Sequence, residues 1–360
     1  MPDSTKQHAW EGLFGGIVIH GPASANYDED KGVIIMNDRD VNTVDELFTT
    51  AQKDDHPTLN NALINGINVF GSDGAANQTG TCFNTFFTEK TSYRLRLVNA
   101  ACDTYFKFSI GNHTLTVIAN DLVSITPYKT NVLNLAMGQR YDVIVKANKA
   151  SIAKKSECAP FLKPHAPKIN HPRISRESYT MAMSLRILPR LVTVIPTAVP
   201  TRTCRICLSI VSESVSSSPY YNSSEPVSLG KNGGGLYRWK LNSTSMHVDW
   251  TDATLLENSP HRNVWTYVVI ETTLSMPHPI HLHGHDFVIL AQGTGLYGGE
   301  ITTLAKPPKR DIAMLPENGY LVTAFKTDNQ GAWLLHCHIG WHTEEGFAIQ
   351  FVERYTEIKL

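Results

Sequence analysis

Short apolar runs that alternate with polar positions recur along most of the chain. SYRLRLVNA (92–100), TLTVIAND (114–121), RYDVIVKAN (140–148), NVWTYVVIE (263–271), DFVILAQG (286–293), YLVTAFKTD (320–328) and GFAIQFVE (346–353) are rich in β-branched and aromatic residues. Asp, Asn and Gly bound them, as tight turns require, and several keep the period of two that half-buried strands show. Helical patterns are few. The best is TVDELFTTAQ from Thr43, where Thr43 and Glu46 are placed as a capping box. Many short strands joined by turns predict an all-β chain built of β-sandwiches.

One stretch breaks the pattern. Residues 149–211 hold eleven Lys or Arg against two acids, seven prolines, and neither Gly nor Asp. Composition alone reads as a disordered or loosely packed basic linker. The abrupt change at both ends also suits a misread frame or an unspliced intron. CRIC (204–207) lies inside it, and a CxxC without a second pair is incidental.

With 360 residues, 42% of them hydrophobic, the chain can bury a core and is long enough for two or three domains. A net charge of −1 gives no reason to expect nucleic acid or an anionic membrane as partner. No apolar run is long enough to cross a bilayer. The opening MPDSTKQHAWEG has no basic start followed by an apolar core, so no secretory signal peptide is expected in it. Six cysteines show no disulfide-framework spacing. Four glycosylation sequons, at Asn77, Asn112, Asn222 and Asn242, are close to what chance gives in such a chain.

The histidines change the picture. Of 15, four fall in HPIHLHGHDF (278–287) and three in HCHIGWH (336–342). A lone histidine is usually a satisfied core residue; seven in two short windows around a cysteine are not. Strand side chains alternate faces, so Cys337 points away from His336 and His338, and His278 can turn away from His281 and His283. One metal would then take Cys337, His278 and His342, the thiolate and two imidazoles of a blue-copper site. Zinc also suits Cys and His, but a structural zinc site would leave His281, His283, His336 and His338 unexplained. Metals on the two faces would lie roughly 10–13 Å apart. That is short enough for an electron to pass from the Cys337 sulfur through the backbone to its flanking imidazoles.

HPIHLHGHDF, FKTDNQGAWLLHCHIGWHTEEGFAIQF (325–351) and GLFGGIVIHGPASANYD (12–28) closely resemble the fungal laccases, a branch of the multicopper oxidases. The resemblance covers roughly 8–148 and 211–360. It implies cupredoxin-like β-sandwich domains: 1–24 as the remnant of a first, 25–148 as a second on the substrate side, and 212–360 as a third with the copper motifs. It further implies a secreted, glycosylated monomer active in lignin degradation. Such an enzyme oxidises phenols and aromatic amines by one electron at a type 1 copper and reduces dioxygen to water at a trinuclear cluster. By motif, His278, Cys337 and His342 correspond to the type 1 ligands, His281 to a type 2 ligand, and His283, His336 and His338 to the type 3 pair. Phe347 takes the axial position, where a ring without a donor atom leaves Cu(II) less stabilised and the potential high. Asp103, in LVNAACDTYFKFSIG (97–111), corresponds to the acidic residue that accepts the phenol proton.

The family also supplies HWHG and HSH motifs, absent from these 360 residues. Four coppers are therefore implied for an intact member, with the type 1 site complete here and the trinuclear site half present. The alternative is a copper-binding electron-transfer protein that does not reduce dioxygen. A third possibility is an incorrectly predicted gene product that does not fold.

Overall fold

The seven runs fold as strands: Ser92–Asn99, Leu115–Asn120, Arg140–Lys146, Trp265–Thr272, Phe287–Thr294, Gly319–Lys326 and Ala348–Glu353. The computed structural model describes residues 7–53, 57, 59, 61–71, 76–148, 179–183, 185–186, 214–246, 255–259, 261–302 and 304–358. The chain divides into two units, Met1–Asp45 with Thr58–Cys207, and Glu46–Pro57 with Leu208–Leu360.

In the first unit a six-stranded sheet runs in the order Asn61–Ile64, Glu29–Arg39, Ser92–Asn99, Arg140–Lys146, Leu115–Asn120, Val123–Thr130. A three-stranded sheet joins Leu133–Leu135, Phe106–Ile110 and Tyr179–Met183. Met36, Leu95, Leu97, Phe106, Phe108, Val117 and Val143 fill the core. Beside them Arg94 pairs with Asp142, and Arg96 reaches Asp30 at 2.7 Å and Asp142 at 3.7 Å, tying three neighbouring strands together by charge.

The second unit has a six-stranded sheet ordered Tyr237–Leu241, Tyr221–Lys231, Trp265–Thr272, Gly319–Lys326, Phe287–Thr294, Lys309–Arg310. Its five-stranded sheet is ordered Leu255–Ser259, Ala348–Glu353, Gly331–Cys337, His278–Leu282, Ile312–Leu315. His278 and His281 thus lie on a strand adjacent to the one that ends in His336 and Cys337. Among the described residues no helix is long and apolar enough to cross a membrane.

Two expectations need adjustment. The helix forms as Val44–Ala51, but 46–57 belongs to the second unit rather than to a domain of 25–148. Its Phe48 ring stacks on Trp341 at 6.3 Å, and the Gln52 carbonyl accepts the Tyr237 N–H at 2.8 Å. Within 149–211, residues Tyr179–Met183 and Leu185–Arg186 are strands, the first in parallel register with Phe106–Ile110. Those seven residues are not linker. Composition could not reveal them, because parallel pairing with a distant strand leaves no local turn signal. The remainder of 149–211, CRIC included, lies outside the described residues.

Candidate metal centre

The antiparallel pairing of His278–Leu282 with Gly331–Cys337 sets Ile280 opposite Cys337 and His281 opposite His336. Directly opposed residues share a face. His278, two positions before Ile280, therefore falls on the Cys337 face, while His281 and His336 share the other. A single short helix, Gly340–Glu344, then turns the chain back so that His342 meets Cys337. His342 Nδ1 is 3.5 Å and His278 Nδ1 3.8 Å from Cys337 Sγ, and the two Nδ1 atoms are 3.2 Å apart. All three side chains are fully buried. A point equidistant from the three donors lies about 2.0 Å from each, close to metal–imidazole and metal–thiolate bond lengths. The donor set fits one soft, borderline metal ion held in a trigonal plane.

The surroundings of this triad are apolar. The Phe347 ring lies 5.0 Å from that of His278 and supplies no donor. Gly346 precedes it at φ +98°, a left-handed conformation, and a Cβ there would fall 2.2 Å from Ser245 Oγ. Trp239, fully buried, completes the wall: its ring centroid is 4.1 Å from His342, 5.0 Å from His278 and 5.1 Å from Phe347. Its Nε1–H donates to Glu345 Oε2 at 2.9 Å, and its backbone N–H to the Glu345 carbonyl at 3.1 Å. The sequence reading missed Trp239. Alternation in YRWKL marks it as inward-facing, but nothing in it names the histidines as neighbours.

On the opposite face His281, His283 and His336 bring ring nitrogens within 4.8 Å of one another. The His338 ring is 5.6 Å from His336 and 5.8 Å from His281. His281 Nδ1 meets the Asp311 carbonyl at 2.8 Å, and His336 Nδ1 meets the Cys337 carbonyl at 2.8 Å. A carbonyl only accepts, so both rings carry their proton on Nδ1 and leave Nε2 bare, the state a metal needs. The Nε2 atoms of His283 and His336 face each other at 3.1 Å. Burial, then the neighbouring His338, His281 and His283, holds His336 well below the usual imidazole range and so neutral. Thr343, also unforeseen, donates its hydroxyl to the Cys337 carbonyl and lies 3.3 Å from His336 Nδ1. Gly284, at φ +73°, ends the motif where a Cβ would strike the Trp333 ring at 2.3 Å.

Asp103 lies in the first unit, half-buried in the turn after Ser92–Asn99. The turn is fastened to the strand Glu29–Arg39. Ala100 N–H donates to the Met36 carbonyl, and Cys102 N–H, Asp103 N–H and Thr104 Oγ1 all donate to the carboxylate of Asp38. Burial pushes Asp38 up to about 6, against the pull of those three hydrogen bonds, and the charge of Asp103 adds to the rise. Asp38 was likewise not foreseen, although it shares the core-facing parity of Ile34 and Met36.

Two multicopper oxidase family models match the chain, over residues 36–154 and 222–357. Laccase-2 of Botryotinia fuckeliana is 38% identical over 97% of this chain and 64% of its own length. Laccase-3 of the same fungus is 36% identical over 95% of this chain and 82% of its own. The crystal structure of a laccase from Botrytis aclada superposes with a TM-score of 0.77 at 37% identity, covering 98% of this chain and 69% of that one. The chain spans 64% and 63% of Laccase-2 and Laccase-1 of B. fuckeliana, the first curated relatives it matches. With its cupredoxin-like β-sandwiches and its Cys–His sites, the chain belongs to the multicopper oxidases, within the fungal laccase group.

Proposed function

We propose that this protein carries out the one-electron oxidation of phenols and aromatic amines, with His278, Cys337 and His342 holding a type 1 copper. In the same reading His281 holds a type 2 copper and His283, His336 and His338 a type 3 pair. Copper held by these residues would supply the one-electron chemistry, taking electrons from the donor and passing them to dioxygen, which becomes water. The observation that carries the reading is the buried triangle of two Nδ1 atoms and one Sγ, backed by a second histidine set on the opposite face of the same strands.

The protein's own groups have distinct tasks. Trp239 and Phe347 exclude water from the triad, which disfavours the more highly charged state of a bound ion and raises its potential. The Cys337 backbone links its thiolate to His336 and His338, a covalent route between the two faces. A phenol that loses an electron becomes a strong acid, and the Asp103 carboxylate accepts its proton as the phenoxyl radical forms. An extracellular location agrees with the disulfide at Cys82 and with exposed sequon asparagines at 77, 112, 222 and 242.

A second reading, electron transfer without dioxygen reduction, is favoured by the contrast between a complete triad and four imidazoles on the opposite face. Copper-loaded protein mixed with a methoxyphenol in an oxygen electrode separates the two. Sustained uptake supports the oxidase; a blue chromophore that the phenol bleaches without uptake supports electron transfer. Asp103→Asn should slow bleaching by phenol far more than bleaching by ferrocyanide, which carries no proton to lose. Equal losses for both donors would reject the proton-acceptor role.

A further inference from the structure

Resting on the reading of Asp103 as proton acceptor, we propose that Asp38 is a positioning residue for phenol oxidation. Its buried carboxylate gathers the turn 102–104 and so fixes the direction in which Asp103 presents its own carboxylate.

Three consecutive residues converge on this one group. Cys102 N–H reaches Oδ1 at 2.8 Å, while Asp103 N–H and the Thr104 hydroxyl reach Oδ2 at 2.9 and 2.7 Å. The neighbouring groups of the turn are tied down as well. Ala101 N–H donates to Asn99 Oδ1 at 2.9 Å, and Asn99 Nδ2 donates to the Thr104 carbonyl at 2.9 Å. Asn99, Thr104 and Asp38 are all buried. The backbone on both sides of the Asp103 Cα is thus held by a strand 65 residues away in sequence. A proton acceptor held in this way loses little freedom when the donor arrives, which is how orientation lowers a barrier.

An Asp is also a costly way to fill this position. Its burial raises the carboxyl to about 6, so the ionised form is disfavoured inside the fold. No uncharged side chain of its size could do the same work. Asn has one acceptor oxygen, and its NH₂ would face donors. Two carboxylate oxygens, by contrast, accept all three bonds.

The test uses three variants, Asp38→Asn, Thr104→Val and Asp103→Asn, in the full chain. Thr104→Val removes one of the three bonds while leaving both carboxylates, and so serves if Asp38→Asn fails to fold. In metal-free protein, amide exchange at 102 and 103 should speed up at least tenfold in Asp38→Asn. In copper-loaded protein under anaerobic stopped flow, bleaching by a methoxyphenol should slow about tenfold or more in Asp38→Asn, in the limiting rate rather than in phenol affinity. Thr104→Val should slow it by about two- to threefold. Ferrocyanide should be much less affected by either. If Asp103→Asn is selective for phenol while Asp38→Asn and Thr104→Val slow both donors alike, or neither, Asp38 is structural only and the proposal fails. If Asp103→Asn is itself unselective, the proton-acceptor reading falls first.

Discussion

At the scale of single residues, Asp38 makes a sharp statement about pH. Its carboxyl is raised from the ordinary 3.8 to about 6 in the folded protein. The folded state therefore holds this proton more tightly than the unfolded chain. The associated stability is fully present below about 3.8 and is lost as pH rises through about 6. A shift of about two units corresponds to roughly 3 kcal/mol. The stability of the protein relative to its Asp38→Asn variant, followed by urea unfolding, should therefore fall between pH 4 and pH 7. A difference that is flat across that range would contradict the burial argument. Trp239→Phe keeps a ring beside His342 but removes the bond from Nε1 to the Glu345 carboxylate, and should cost about 1.5–3 kcal/mol in the same measurement. No change would mean that the bond contributes nothing net. The seven clustered histidines and Cys337 stood out in the sequence because their density in two short windows, 278–287 and 336–342, is itself the signal. Asp38 and Trp239 were not. Their partners lie 64 and 106 residues away, and no local pattern encodes a contact at that distance.

At the scale of elements, what could be read was governed by how cleanly each strand alternates. Trp265–Thr272 and Gly319–Lys326 are apolar enough to stand out. Glu29–Arg39 opens with exposed charges, and Tyr221–Lys231 buries Ser223 and Glu225 along with Val227, so a polar core face hides its period. Buried polar groups also decide how the first unit holds together. Arg94 and Arg96 are nearly covered and share Asp142, with Asp30 at one end. Asp142→Ala leaves two buried guanidinium groups short of a partner and should destabilise by about 3–5 kcal/mol. A loss below about 1 kcal/mol in a urea titration would place this network with the weak surface pairs instead.

At the scale of the whole molecule, strand parity alone separates Cys337 from His281 and His336, and in the structure Ile280 pairs with Cys337 and His281 with His336. The division into units was less legible, since most of the helix Val44–Ala51 falls in the second unit, where Phe48 stacks on Trp341 of the short helix Gly340–Glu344, far along the chain. The two faces should also differ in how they take up metal. Three charged or neutral donors already sit in a bonding triangle on the buried face, so the first equivalent of copper should go there. The most direct measurement is the visible spectrum of the metal-free protein during titration with Cu(II), alongside Cys337→Ser. Thiolate ligation predicts an intense blue band that saturates near one equivalent, bleaches when a methoxyphenol is added without oxygen, and is absent from Cys337→Ser. Copper bound with no such band, or a band that survives in Cys337→Ser, would contradict the account.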